Sequence, residues 1–331
     1  MAEDRAETTC IVVGAGIAGL LAARKLKEHG YSVKVIDKGK KVGGRMATRH
    51  IGSTVFDVGA QYFTVRDDHF AMLINAWRNN GYVEEWGRGF ESADHRVSAD
   101  GHPRYRVTPY MRALPERLAE NLDVQCATKI AAVAAENGGW KLEDANGNLY
   151  SAQTLLMTAP APQSLALLKA GDVTLNEAAS NALEAIEYDP CIALLVELDG
   201  PSALPEPGGI RTPSDTILWM ADNHAKGISP EGYGVTIHGC PEFSRDYYDA
   251  DDAYLEKMLL GGAYEYLNAD VLGTHLHRWR YSQTARCHPE LYMAVDAPAP
   301  LVFAGDGFGG PRVEGAALSG LAAAEAIIHR A

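Results

Sequence analysis

Apolar residues come in short unbroken runs near both ends of the chain and in alternating or helical patterns between them. Ile11 to Val13 has no polar interruption, as a strand covered on both faces requires. Leu20, Leu21, Ala23 and Leu26 follow at helical spacing until Gly30, and Val33, Val35 and Ile36 begin a second strand. Further helices are predicted over His69–Arg78 (Phe70, Leu73, Ile74 and Trp77 on one face), Thr108–Leu122, Gln163–Ala170 and Asp251–Leu267. Strands are predicted over Lys129–Ala135, Trp140–Glu143, from Leu149, and over Thr154–Thr158, with Asn146-Gly147 as a tight turn. From about 171 to 285 the pattern changes to strands: Ile192–Leu198, Thr216–Met220, Gly234–His238 and His275–Tyr281. A last buried run, Leu301 to Ala304, precedes Gly305-Asp306 and a helix through Ile328.

Chemistry enters between the first strand and the first helix. Gly14, Gly16 and Gly19 stand in G-x-G-x-x-G spacing, with Ile17 and Ala18 opening the helix. The first glycine permits a tight turn, the second lets backbone approach a pyrophosphate, and the third lets helix pack on strand. The helix N-terminus then points its N–H groups at phosphate. Asp37, at the tip of the second strand with Lys38 beside it, is placed to accept ribose hydroxyls. Strand, glycines, helix and acid together predict a dinucleotide site.

Two later stretches narrow the cofactor. Gly43-Gly44-Arg45-Met46 resembles the G-G-R turn that wraps over FAD in the glutathione-reductase-like superfamily. Asp57-Val-Gly-Ala-Gln-Tyr-Phe-Thr-Val-Arg is similar to a stretch bordering the flavin in the renalase branch of the flavin amine oxidase superfamily. Ala159-Pro-Ala-Pro-Gln, Gly305-Asp306 and Arg312-Val-Glu-Gly-Ala-Ala resemble further elements of that family, so the likeness spans nearly the whole chain. It implies noncovalent FAD held by Gly14, Gly16, Ile17, Ala18, Gly19, Asp37, Lys38, Gly44, Arg45, Met46, Gly59, Ala60, Gln61, Tyr62, Ile130, Thr158, Gly305, Asp306, Arg312, Val313 and Ala316. It also implies Tyr62, Asn223, His238, Arg278 and Tyr281 facing the flavin, with Asn223 and His238 orienting a carboxamide or ring and Arg278 meeting substrate phosphate or pairing structurally. Where bacterial renalases carry tryptophan and cysteine after Gly-Asp, and a further tryptophan in the last helix, this chain has Gly307, Phe308 and Ala317. Loss of the two indoles opens or reshapes the substrate pocket.

The expected fold is α/β with an α+β substrate domain. A Rossmann-type FAD-binding domain of the glutathione-reductase/amine-oxidase kind comprises 1–60, 106–165 and 287–331, and an inserted antiparallel-sheet substrate domain comprises 61–105 and 166–286. A single glycine fingerprint argues against a second nicotinamide domain. The implied activity is oxidation of 2- or 6-dihydronicotinamide dinucleotides by hydride transfer to flavin, with O2 as acceptor giving H2O2. Another amine oxidase or desaturase of the superfamily, and a flavin-binding protein without turnover, are the alternatives.

Composition changes this picture little. Thirty basic against 43 acidic residues give a net charge of −13, which argues against nucleic-acid or anionic-membrane partners; the small-molecule substrate, dihydronicotinamide or small amine, is what the resemblance implies. Five scattered cysteines form neither a disulfide framework nor a metal site, so a cytoplasmic protein is expected. No hydrolytic triad or metal-ligand spacing occurs. The acidic N-terminal residues and the strand that follows do not read as a leader.

Overall fold

A computed structural model describes residues 9–92, 101–212, 214–296 and 298–330, so the acidic N-terminus and part of the polar stretch before Pro103 lie outside the described residues. The chain divides into two compact units: Met1–Gly44, Pro115–Glu187 and Thr284–Ala331 form the first, Arg45–Leu114 and Tyr188–Gln283 the second. These boundaries differ from those read in the sequence. The helix Ala161–Ala170 and the segment behind it stay with the first unit, where Gly171 sits tightly against the backbone of Val133. The whole Arg45–Leu114 segment joins the second.

The first unit holds a six-stranded sheet in the order Met293–Val295, Leu301–Phe303, Thr154–Met157, Cys10–Val13, Val33–Ile36, Asp123–Gln125. All neighbours run parallel except the edge strand Met293–Val295. Parallel strands are covered on both faces, and Cys10 to Val13 and Leu155 to Met157 are accordingly buried throughout. Cys10 behaves as a core hydrophobe, burial pushing its thiol up to about 12. The helices Ile17–Glu28 and Val313–Ile328 pack here, and a three-stranded antiparallel sheet (Ile130–Glu136, Gly139–Asp144, Leu149–Ala152) is attached.

The second unit is built on another six-stranded sheet, ordered Val271–Arg286, Glu187–Leu198, Tyr233–Gly239, Ile217–Asp222, Gly209–Arg211, Glu91–Ser92. Strand period two gives it two faces. Ile192, Leu194, Val196, Met220, Val235 and Ile237 pack on the helix Asp252–Leu267 through Leu255, Leu259 and Ala263. That helix starts where the sequence predicts, because the Asp251 carboxylate accepts the N–H groups of Ala253 and Tyr254. The opposite face, with Leu195, is covered by Phe56 and Val58.

The predicted helix Thr108–Leu122 shortens to Ala113–Ala119. Pro109 disfavours helical backbone at Thr108, and Asn121 adopts the left-handed region (φ 64°) beyond the helix. The hairpin Thr48–Ile51/Thr54–Asp57 has no counterpart in the sequence reading.

Candidate functional site

In the first unit, the expected cofactor residues meet at the carboxyl ends of the parallel strands, where open α/β sheets bind ligands. Gly14 follows Val13 at φ 118°, and a Cβ there would lie 2.4 Å from Thr158 Oγ1. Thr158, after the adjacent strand, donates its hydroxyl to Val13 O (3.1 Å) and Gly14 O (3.2 Å). Gly19 packs so closely that its Cβ would lie 2.1 Å from Gly14 O. Gly16, by contrast, faces open space, supplies no side-chain cap, and opens a helix with no acidic residue in its first turn. An anion at that helix end meets N–H groups and no competing charge.

Asp37 Oδ2 accepts from Ala15 N (2.6 Å) and Oδ1 from Gly39 N (2.6 Å), so the acid braces the glycine loop. A carboxylate has about four acceptor positions, which leaves two for a ribose. Thr128 N and Ala127 N donate to Asp37 O (2.9 Å) and Gly39 O (2.7 Å), which brings the segment before Ile130 to the same edge. Ile130 itself is buried and paired with Asp144 in the small sheet. Lys38 is exposed and reaches Gln163. Gly43 N donates to Ala15 O (2.8 Å), docking the glycine turn that carries Gly44 onto the glycine loop. At the far strand, Gly305 N donates to Ser319 Oγ (2.7 Å), and the buried Asp306 carboxylate accepts from Thr284 Oγ1 (2.7 Å). Arg312 caps the last helix with backbone only; Val313 and Ala316 open that helix. Glycines, an open helix end and a strand-tip carboxylate are the donor and acceptor set that a dinucleotide cofactor needs.

The second unit gathers a different set. Ala60 N donates to Arg45 O (2.9 Å), Arg45 Nη1 reaches Tyr281 O (3.5 Å) and Ser282 O (3.4 Å), and Gly59 packs between Arg45 and the Trp279 ring. Met46 is buried. Tyr62 lies against Trp86, Phe90 and Trp219, with ring centroids 6.2, 5.2 and 5.5 Å away. His238, on the same sheet face as Trp219, places Nε2 2.9 Å from Val58 O. Thus Arg45, Gly59, Ala60, Gln61, Tyr62, His238 and Tyr281 come together around one loop.

Beneath them is a pair absent from the sequence reading. Lys226 Nζ and Asp57 Oδ2 are 2.8 Å apart with side chains 0% and 1% exposed. Asp57 also accepts from Thr48 Oγ1 (2.7 Å) and Met111 N (2.9 Å); Gln61 Nε2 donates to Asp57 O (2.6 Å). The ammonium sits 5.0 Å from the Trp86 ring centroid. Burial holds Lys226 below the usual lysine range against the opposing pull of Asp57. A lysine in an Ala-Lys-Gly turn carries no sequence sign of burial. Trp86 and Phe90, isolated aromatics in a polar stretch, did offer a signal.

Of the expected substrate contacts, Asn223 is corrected by the structure, and Arg278 takes the structural pairing of its two expected roles. Asn223 is fully buried: its Oδ1 accepts from Asp57 N (3.2 Å), and its Nδ2 donates to Gly234 O and Thr236 Oγ1 (3.0 Å each). Its amide is spent on structure. Arg278 donates to Tyr248 O (2.8 Å) and Ala250 O (2.7 Å) and pairs with Asp252 (2.7 Å). Strand alternation turns it to the helix side, away from Trp279 and Tyr281. Ala317 is fully buried, and Phe308 packs on His288 with ring centroids 5.4 Å apart.

His238 carries a testable electrostatic consequence. Burial, with Lys226 nearby, lowers its imidazole to about 4. The unfolded chain therefore binds the extra proton between roughly pH 6.5 and 4, and stability falls as pH drops through that window. The loss attributable to this ring approaches about 3 kcal/mol below pH 4. Thermal melts of the parent and His238→Gln between pH 7.5 and 4.5 measure it: the variant should lose less on acidification. Parallel curves would contradict a neutral His238.

Comparison with known proteins agrees with this geometry. The profile described as NAD(P)-binding Rossmann-like domain matches residues 12–77, and that described as Flavin containing amine oxidoreductase matches residues 81–328. The chain is 26% identical to renalase from Mus musculus over 324 residues, covering 90% of this chain and 92% of that one. A local match to L-amino acid dehydrogenase from Synechocystis sp. reaches 41% over 69 residues, 20% of this chain and 15% of that one. The structure of putrescine oxidase bound to putrescine superposes with a TM-score of 0.71 at 14% identity, covering 98% and 99% of the two chains. An oxidoreductase from Methanosarcina mazei superposes with a TM-score of 0.62 at 14% identity, covering 97% and 100%. No helix among the described residues is long and apolar enough to cross a membrane. With three quarters of its length matched, this chain belongs to the flavin-containing amine oxidoreductase family and is a flavin oxidoreductase.

Proposed function

We propose that the protein is an FAD-dependent oxidase acting on 2- or 6-dihydronicotinamide dinucleotides, with the first unit binding FAD and the second binding the substrate. In balance, one dihydro isomer, one O2 and one proton give one NAD(P)+ and one H2O2. Bound noncovalently, FAD would accept the hydride and return the electron pair to O2.

The observation that carries this reading is the neutrality of the second unit's site face. Asp57, the carboxylate bordering it, is locked to Lys226, and burial holds the His238 imidazole well below its usual range. An ammonium finds no free carboxylate partner there among the described residues. A dihydropyridine needs none, because its ring nitrogen lone pair expels the hydride and the product gains aromaticity, so no strong base is required. Tyr62 and Tyr281 would flank the ring while His238 orients it. The full-length similarity to a renalase supports the same substrate class. The net charge of −13 supports a small-molecule partner over nucleic acid, and the absence of disulfides among the free cysteines Cys10, Cys126, Cys191, Cys240 and Cys287 suits a cytoplasmic setting.

The test is stoichiometry in air-saturated buffer. One NAD+ and one H2O2 should appear per 6-dihydro-NAD consumed, and acid precipitation should leave the yellow FAD in the supernatant. NAD+ formed without H2O2 would overturn the oxidase assignment, and colour in the pellet would overturn noncovalent binding.

A further inference from the structure

Surface helices ordinarily turn apolar residues to the core and charged ones to water. The helix Asp252–Leu267 follows only the first half of that pattern. Leu255, Leu259, Ala263 and Leu267 are buried in the core over the sheet. Its outward side nevertheless carries Tyr254 (41% exposed), Met258 (37%) and Tyr264 (80%). Among the described residues, six of the nine large apolar side chains left exposed lie between Tyr247 and Leu272, so exposed apolar surface is concentrated here rather than scattered singly. The Tyr254 ring leans on Tyr247, with centroids 5.6 Å apart, which holds part of that surface in place.

Gly261 stands at the centre of the outward side. A Cβ built on it would meet nothing within 4 Å, so no neighbour in the chain demands a glycine there, although glycine weakens a helix interior relative to alanine. What it permits is close approach of a second helix from outside, since side chains at the crossing set the distance between axes. Lys257 and Glu265, both exposed, flank it one turn before and one turn after. For each of them Gly261 is the residue four positions away, from which an ion pair along the helix would be made. The two are about 12 Å apart along the axis, too far to pair with each other. Neither has a partner among the described residues.

We propose that this side of the helix is an interface with a second copy of the chain, two antiparallel helices crossing at Gly261 about a two-fold axis. Such a contact must be self-complementary. An antiparallel crossing sets each residue before Gly261 against the residue equally far after it. Lys257 then meets the partner's Glu265, Glu265 meets the partner's Lys257, and Met258 meets the partner's Tyr264. One sequence thus supplies an apolar centre and two ion pairs, whereas a parallel crossing would oppose like charges. A partner of another sequence would not call for this symmetry. The net charge of −13 opposes indiscriminate association, but the turns either side of Gly261 present one exposed charge of each sign.

Sedimentation velocity of the holoenzyme tests this, at concentrations bracketing a Kd on the order of 10 µM, the strength suited to a contact below standard interface size. The parent should pass from monomer to dimer across that range. Lys257→Glu and Glu265→Lys should each weaken the dimer by about tenfold, because each turns two attractive contacts into repulsive ones. Mixed in equal amounts, the two variants should associate as the parent does, since the mixed pair again sets opposite charges together at both contacts. Both substitutions are on exposed positions, so flavin absorbance and melting temperature should match the parent's and show that the variants are folded. A parent that stays monomeric would overturn the proposal and leave this face to a partner of another sequence. Single variants that dimerise like the parent, or a mixture that associates no better than its components, would also overturn it, by placing any dimer on a different surface.

Discussion

Lys226→Met is expected to destabilise the second unit by about 3–5 kcal/mol, because it strands the Asp57 carboxylate in a site that is 1% exposed. Thr48 and Met111 still donate to Asp57, but neither neutralises it. For a unit of this size the melting transition should fall on the order of 10 °C. Asp57→Asn combined with Lys226→Met should recover much of the loss, since a neutral pair removes the uncompensated charge. The damage should extend to the loop, because Val58 O, one residue beyond Asp57, holds His238. Differential scanning calorimetry of the two variants decides the matter. A single variant that melts with the parent would show that Lys226 enters the core uncharged and that the pair carries no such weight.

Asp37→Ala should weaken FAD binding by about ten- to a hundredfold, the worth of a charge-assisted hydrogen bond to a ribose hydroxyl. The structure adds a second route to the same loss. The carboxylate accepts Ala15 N–H and Gly39 N–H at 2.6 Å each, so its removal also loosens the loop that faces the pyrophosphate. Titration of the apoprotein with FAD, followed by flavin fluorescence quenching, measures the change. With FAD in excess the variant should reach the parent's melting temperature. Equal FAD affinity in variant and parent would remove Asp37 from the cofactor site.

The nucleotide half of this protein was legible in the sequence because its constraints are local. A parallel strand must be apolar throughout, and a positive φ at Gly14 excludes side chains, so both leave marks in a few consecutive letters. The placement of Thr158 beside Gly14 depends on strand order, yet it too follows from a strand end that the pattern shows. The substrate half was less legible because its constraints are matters of register. Trp279, Tyr281 and Arg278 were all visible as members of one strand, but which face each took depended on the pairing of that strand. Arg278 went to the helix side. Asn223 was visible as a polar residue at a strand end, a position that suits a ligand contact as well as it suits a buried amide. Three internal hydrogen bonds decided against the ligand. Lys226 and Asp57 lie 169 residues apart, and no periodicity links them.

Anaerobic rapid mixing of the purified yellow protein with 6-dihydro-NAD, with putrescine mixed in parallel, tests the proposed oxidase activity most directly. Flavin absorbance should bleach with the dihydro isomer and not with the amine, then recover on admitting air as H2O2 accumulates. Bleaching by the primary amine, with 6-dihydro-NAD leaving the flavin oxidised, would contradict the account.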